Sequence, residues 1–209
     1  CSFYANARSG IRDLIDSKNI TKVLLPEYIC ESVINCFDIK NVITYKLDND
    51  LKINTDDVIS KITDDVTCIF IMHYFGSIPQ EDKLRKISVC AKKNNLIIIE
   101  DTTHSIFSKP QTIGDYCICS LRKWFPIPDG AVLYAEKSYP MPKQKHDEMN
   151  ISKALSAMTL KTLYLENHIE NKDLYRILID EYEHDINQSI GKYKISRYSY
   201  FLLQAFDIM

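Results

Sequence analysis

Short apolar runs recur through the first two-thirds of this chain, and between them lie stretches whose apolar residues keep helical spacing. Lys22 to Leu25, Val42 to Leu47, Thr67 to His73, Leu96 to Glu100, Asp115 to Ser120 and Ala131 to Ala135 read as strands. Helical segments are expected from Ile11 to Ile15, over Glu31 to Phe37, and in a short helix capped by Thr55. A longer helix is expected from about Gln80 to Lys93, with Leu84, Ile87, Ser88 and Ala91 on its inner face. Strands alternating with helices in this way argue for βαβ units. The expected fold class is α/β: a mostly parallel sheet flanked by helices. Ligands of such sheets bind beyond the carboxyl ends of the strands.

The later chain has a different texture. Between Lys137 and Asp147 the composition shifts to Lys, Pro and Gln, as in a linker or crossing loop. From Glu148 the pattern is helical to the end, so the chain divides at 1–136 and 137–209. Glu181 to Asp185 reads as a solvated helix face. The sequence stops at Met209 without a helix-stop signal, as if cut off in mid-element.

Composition narrows the function classes. A net charge of -2 gives no field that would hold nucleic acid or a membrane surface, so neither is an expected partner. The apolar runs are too short to span a bilayer, and no signal peptide opens the chain. Seven cysteines, an odd number scattered through apolar segments, suit a reducing cytoplasmic setting. Cys117 and Cys119 share one face of a strand, and with no second pair at zinc spacing they read as packing residues; no metal is expected. Only five glycines occur, well below the usual roughly 7 % share. Gly10, Gly76, Gly114 and Gly130 fall beside the segments that carry chemistry, where they mark positive φ or a close approach.

The apolar stretch Leu96 to Ile99 runs into Glu100, Asp101, Thr102, Thr103 and His104, and Ser120 and Lys123 follow some twenty residues on. A buried strand ending on an acid, followed by Ser-x-x-Lys, is the arrangement that holds pyridoxal phosphate. The acid pairs with the ring nitrogen, the lysine forms the Schiff base, and the serine reaches the phosphate. A lone lysine is ordinarily a surface residue, but Lys123 lies between an apolar strand and Trp124-Phe125-Pro126, which points to an apolar setting for its stem. His104 is placed to meet the ring or its phenolic oxygen. Ser9 and Gly10, ahead of the helix at Ile11, form a candidate phosphate cup. Ser-x-x-Lys also occurs in penicillin-binding enzymes, but the Lys-Thr-Gly element they need is absent.

Together these residues resemble the DegT/StrS-type sugar aminotransferases of the aspartate-aminotransferase fold, from about Ala7 to Ala135. Ala7 to Ile11 is similar to the family's phosphate-holding opening. Leu24 to Cys30 resembles its Pro-x-Tyr-x-Cys variant, which makes Tyr28 the candidate for stacking on the cofactor ring, with Cys30 in a nearby slot. His73 to Gly76 resembles the stretch ending in glycine, and Glu100 to His104 the Glu-Asp-x-Ala-Gln/His element. Gly114, Asp115, Ser120, Lys123 and Gly130 match the last block, with its Schiff-base lysine at Lys123. The departures are a spacing of three between Ser120 and Lys123, closer than in commoner members, and the apparent lack of the small C-terminal domain.

The resemblance implies a PLP-dependent aminotransferase, with Lys123, Asp101 and His104 catalytic and Ser9, Gly10, Tyr28 and Ser120 completing the cofactor site. It would take an amino donor and a nucleotide-linked keto-sugar, in a homodimer. A dehydratase or lyase of the same fold, or a non-catalytic module, is the alternative. Arg8, Arg122 and Arg197 are candidates for an anionic group of the substrate.

Overall fold

The computed structural model describes residues 1–76, 79–108, 112–135, 139, 142, 148–188 and 191–206. Its strands are β1 (Ser2–Tyr4), β2 (Val23–Pro26), β3 (Val42–Tyr45), β4 (Leu47–Asp48), β5 (Lys52–Ile53), β6 (Cys68–Met72), β7 (Ile97–Asp101), β8 (Tyr116–Ser120) and β9 (Ala131–Tyr134). Among the described residues, seven of them form one sheet in the order β1-β9-β8-β7-β6-β2-β3. The run from β3 to β8 is parallel, and β9 lies antiparallel to both of its neighbours. The expected α/β class is therefore observed.

Alternation along the strands divides the core between two faces. Val23, Leu25, Phe70, Ile99 and Ile118 pack with Ile11 and Leu14 of α1 (Ala7–Ser17) on one face. Leu24, Ile69, Ile71 and Ile98 pack on the other, against Val58 of α3 (Thr55–Ser60) and Leu84, Ile87 and Ala91 of α4 (Glu81–Lys93). The short α2 (Glu31–Ile34) covers part of the region expected to be helical.

Several element boundaries differ from expectation, and two of them have clear local reasons. Helix α1 begins at Ala7 rather than Ile11, because Asn6 caps it and its side chain accepts the Ser9 amide at 3.0 Å. Gly10 thus sits inside the helix, where a Cβ would come within 2.7 Å of Ile118 Cδ1. The strand expected over Val42 to Leu47 ends at Tyr45. The amides of Lys46 and Leu47 are taken by the carboxylates of Asp57 (2.7 Å) and Glu27 (2.8 Å), and Leu47–Asp48 turns back to pair with β5.

Helices α5 (Glu148–Leu165), α6 (Asp173–Gln188) and α7 (Arg197–Ala205) form the later chain. Lys153 ties α5 to Asp185 and Glu181 of α6, at 2.9 and 3.5 Å. The Tyr182 hydroxyl donates to the Pro128 carbonyl at 2.6 Å. Residues 193–195 run beside β1, where Ala5 donates to Tyr193 and Tyr4 bridges Lys194. Ile195 and Leu203 pack with Cys119, Leu121 and Ile127. Glu181 to Asp185 is therefore only partly a solvated face, since Tyr182 is buried and Glu183 pairs with Arg122. Of the linker expected over 137–147, only Tyr139 and Pro142 are described. The end of the chain at 207–209 also lies outside the described residues. Among the described residues no helix is long and apolar enough to cross a membrane.

Candidate active site

Asp101 closes β7 at the carboxyl edge of the sheet, paired in register with Met72 of β6 and Ile118 of β8, and is only 8 % exposed. Its Oδ1 accepts the Thr103 amide at 2.8 Å. Thr103 makes two more links. Its hydroxyl oxygen accepts the Ser120 amide at 3.0 Å, and its carbonyl accepts the indole N–H of Trp124. One threonine thus fastens the acid-bearing end of β7 to the end of β8 and to the turn that follows.

That turn, Leu121–Lys123, is a single 3-10 turn leaving Ser120. It explains how a spacing of only three residues still brings Lys123 to the strand ends. The amides of Leu121 and Arg122 both donate to the Gly130 carbonyl, at 2.9 and 3.3 Å, while the Gly130 amide donates to Ala5 at 2.7 Å. Gly130 has φ +141, a conformation side chains rarely adopt. The lysine turn, the end of β1 and the start of α1 all meet at this glycine.

The expectation of an apolar setting for the Lys123 stem is not met: Lys123 is exposed, and so is Trp124 beside it. The turn buries Leu121 and ties Arg122 to Glu183, which leaves Lys123 on its outer side, and the Trp124 ring lies edge-on to Phe107 at 5.2 Å. Lys123 nevertheless acts on its neighbours. The His104 imidazole is held below the ordinary histidine range, first by burial and then by the Lys123 charge, with Asp101 opposing. Burial pushes the Cys119 thiol up to about 12, with Asp101 adding to the rise and Lys123 opposing it. The Cys30 thiol is drawn down chiefly by its contact with the Ser32 hydroxyl, with Lys123 and Arg8 adding to it. The Lys123 charge is thus felt at His104, Cys119 and Cys30, and that of Asp101 at His104 and Cys119.

His104 stacks on Phe75, ring centres 5.5 Å apart and nearly parallel, and accepts the Phe75 amide at Nδ1 over 3.4 Å. With Nδ1 accepting, the other ring nitrogen carries the proton and is free to donate. Tyr28 is 58 % exposed, its ring tilted against Tyr74 at 5.9 Å, and its carbonyl accepts the Tyr74 hydroxyl. Burial, followed by Tyr28 and Asp101, raises the Tyr74 phenol above its usual range.

Ser9 and Gly10 take places other than those expected. The Ser9 amide is committed to Asn6 and Gly10 is packed against Ile118, so the amides at the helix opening are those of Ala7 and Arg8, which have no acceptor within the helix. Of the three arginines, Arg8 is buried and donates to Asn187 of α6, and Arg122 makes a two-pronged pair with Glu183 of the same helix. Arg197 is exposed at the start of α7. The sequence reading missed Thr103 as a hub and the α6 partners of the two arginines. It also missed Asp129, fully buried, which accepts from the Ser196 amide (2.8 Å) and the hydroxyls of Ser196 (2.6 Å) and Ser199. The sequence shows Asp129 beside Gly130, and Ser196 and Ser199 one helical turn apart, but nothing local links the acid to the serines.

Residues 33–122 match the model of the DegT/DnrJ/EryC1/StrS aminotransferase family. No curated protein sequence matches the chain. Among solved structures, PseC from Helicobacter pylori, an aminotransferase involved in the biosynthesis of pseudoaminic acid, is 14% identical with a TM-score of 0.56, over 65% of this chain and 40% of its own. The aminotransferase TlmJ from Streptoalloteichus hindustanus is 17% identical with a TM-score of 0.54, again over 65% and 40%. NtdA from Bacillus subtilis, solved with bound PMP, is 15% identical with a TM-score of 0.53, over 66% of this chain and 33% of its own. The likeness shows the fold alone, a mostly parallel α/β sheet with flanking helices. The chain spans two-fifths or less of the length of these structures.

Proposed function

We propose that this chain forms the cofactor-binding part of a PLP-dependent aminotransferase that passes an amino group from an amino-acid donor to the keto group of a nucleotide-linked sugar. The observation that carries the reading is the placing of Asp101, His104 and Lys123 at or just beyond the ends of β7 and β8, where Thr103 ties Asp101 to Ser120 and Trp124. The family match over 33–122 supports it.

The residues present fit pyridoxal phosphate: a nearly buried carboxylate below, a neutral imidazole donor beside it, a reachable amine, and helix amides at one end. When bound, the cofactor supplies an electron sink for proton removal next to the amino group. Asp101, screened from water, holds a proton on a pyridine nitrogen by opposing its charge. His104, kept neutral, donates a hydrogen bond to an oxygen on the ring. The Lys123 amine would hold the cofactor and, as a free base, would be the group to take up and return a proton. The amides of Ala7 and Arg8 and the Ser120 hydroxyl take the phosphate, with Ser9 and Gly10 shaping the helix that presents those amides. Tyr28 borders the ring.

Retention of a lysine at 123 favours transamination over the dehydratase or lyase alternative. The reading includes a homodimer and a cytoplasmic setting, which seven free cysteines suit. Reconstitution with pyridoxal phosphate tests the activity. The protein should gain an absorbance band that Lys123→Ala lacks, and the band should bleach on adding an amino donor and return with a keto acceptor. A protein that takes up no cofactor is a non-catalytic member of the fold.

A further inference from the structure

His73 and Glu100 belong to segments singled out in the sequence, yet neither faces the reacting groups. Both are completely buried, and their side chains meet at 2.9 Å between Nε2 and Oε2. The other Glu100 oxygen accepts the amides of Ile113 and Gly114, at 2.5 and 2.6 Å. The other imidazole nitrogen, Nδ1, meets the Ser105 hydroxyl at 2.7 Å, and the Ser105 amide donates to the Thr102 carbonyl at 3.0 Å. An unbroken line of hydrogen bonds therefore runs from the 113–114 backbone through Glu100 and His73 to Ser105.

The line ends where the site needs rigidity. Residues 102–105 have no ladder of their own beyond the Thr102 amide bond to Ile118, yet they hang between Asp101 and the His104 ring. Thr103 pins one side of this segment to Ser120, and Ser105 pins the other to His73. His104 sits between the two pins. A buried histidine between a carboxylate and a hydroxyl costs desolvation that an apolar residue would avoid, and what it gains is a fixed direction.

We infer that His73, clasped between Glu100 and Ser105, is a positioning residue that fixes the 102–105 segment and so the placement of His104 beside Asp101. This rests on the aminotransferase reading for its purpose, but not for its geometry. With Glu100 accepting from two amides, His73 Nε2–H donates to it and Nδ1 accepts the Ser105 hydroxyl. Glu100→Gln can keep every link with the polarity reversed. Its amide donates to Nε2, and Nδ1–H donates to Ser105 Oγ. Ser105→Ala cuts the line at its last link and leaves the buried pair intact.

The test follows the His104 ring resonances against pH in protein without cofactor, then kinetics with pyridoxal phosphate bound. In Ser105→Ala, His104 should shift and titrate closer to its ordinary value of about 6.5 as the segment drifts from Lys123. In the loaded protein kcat should fall about tenfold, the scale seen when a supporting hydrogen bond is lost. KM should stay within about twofold, as expected for a change confined to the transition state. Glu100→Gln should resemble the unsubstituted protein in both respects. A Ser105→Ala titration that overlays the original overturns the inference. So does an activity loss that merely follows the loss of folded protein. If His104 shifts as expected while unsubstituted protein forms no covalent link at Lys123, the positioning role stands and the aminotransferase reading fails.

Discussion

Below the carboxyl ends of β6 and β7, Glu100, His73 and Ser105 are enclosed and every side-chain polar group meets a partner. Above them, Tyr28, Phe75, Lys123 and Trp124 are exposed, and Phe75 has its backbone at φ +49. Adjacent residues of one strand mark the border: Glu100 faces the floor and Asp101 faces the rim. Floor residues gain stability from burial with satisfied hydrogen bonds. The rim leaves apolar surface exposed and holds Phe75 in an uncommon backbone conformation, with only partial contacts such as Phe75 on His104 and Trp124 on Phe107 in return. The division teaches that the floor holds the fold and leaves the rim free to carry the chemistry proposed for it.

Substitutions can break this division, beginning with the floor. Glu100→Ala leaves a buried imidazole and two amides without their partner, so it should cost about 3–5 kcal/mol, read as a lowered denaturant midpoint. Next comes the clasp that holds α7 to the loop behind Lys123. Ser196→Ala strips one hydroxyl from buried Asp129 and removes the α7 cap, at a cost of about 1–3 kcal/mol by the same measurement. Gly10→Ala sets a gain of about 1 kcal/mol in helix propensity against overpacking of about 1–3 kcal/mol, because the new methyl meets Ile118. The net should be a mild destabilisation. Tyr28→Ala and Lys123→Met, at the rim, should move stability by no more than about 0.5 kcal/mol. A rim change as costly as Glu100→Ala would erase the distinction.

A pH measurement sharpens it further. Burial and Lys123 depress the His104 pKa, so the folded state binds its proton less readily than the unfolded state, whose value is about 6.5. The stability this group contributes is present above that value and is lost as pH falls from there through the folded pKa. Lys123→Met removes the second cause, so the His104 midpoint followed by NMR should rise while staying depressed by burial.

How far the site was legible depended on whether its information was local. The strands from β6 to β8 carry their own apolar pattern, and α4 was expected within a residue of its observed start. Asp101, His104, Ser120 and Lys123 lie in ordered segments at strand ends, which is why their place at that edge of the sheet could be read. Strand β1 has only three residues, too few to show a period, and it exists because β9 offers an edge. The start of α1 turned on whether Asn6 or Ser9 would cap, a choice decided when Gly10 packs beneath Ile118. The exposure of Lys123 and the pairing of Arg122 with Glu183 depend on how distant segments meet. Glu100 looked like a companion of Asp101, since its partners His73 and Gly114 come from separate stretches of chain.

The central claim is that the amine at the end of the β8 turn is the covalent anchor of the cofactor. Reduction with borohydride in the presence of pyridoxal phosphate, followed by peptide mapping, tests it most directly. The account predicts one modified peptide carrying the label on Lys123, absent when Asp101→Asn weakens retention of the ring or Lys123→Ala removes the amine. A label spread over surface lysines, or confined to a lysine other than Lys123, would contradict it.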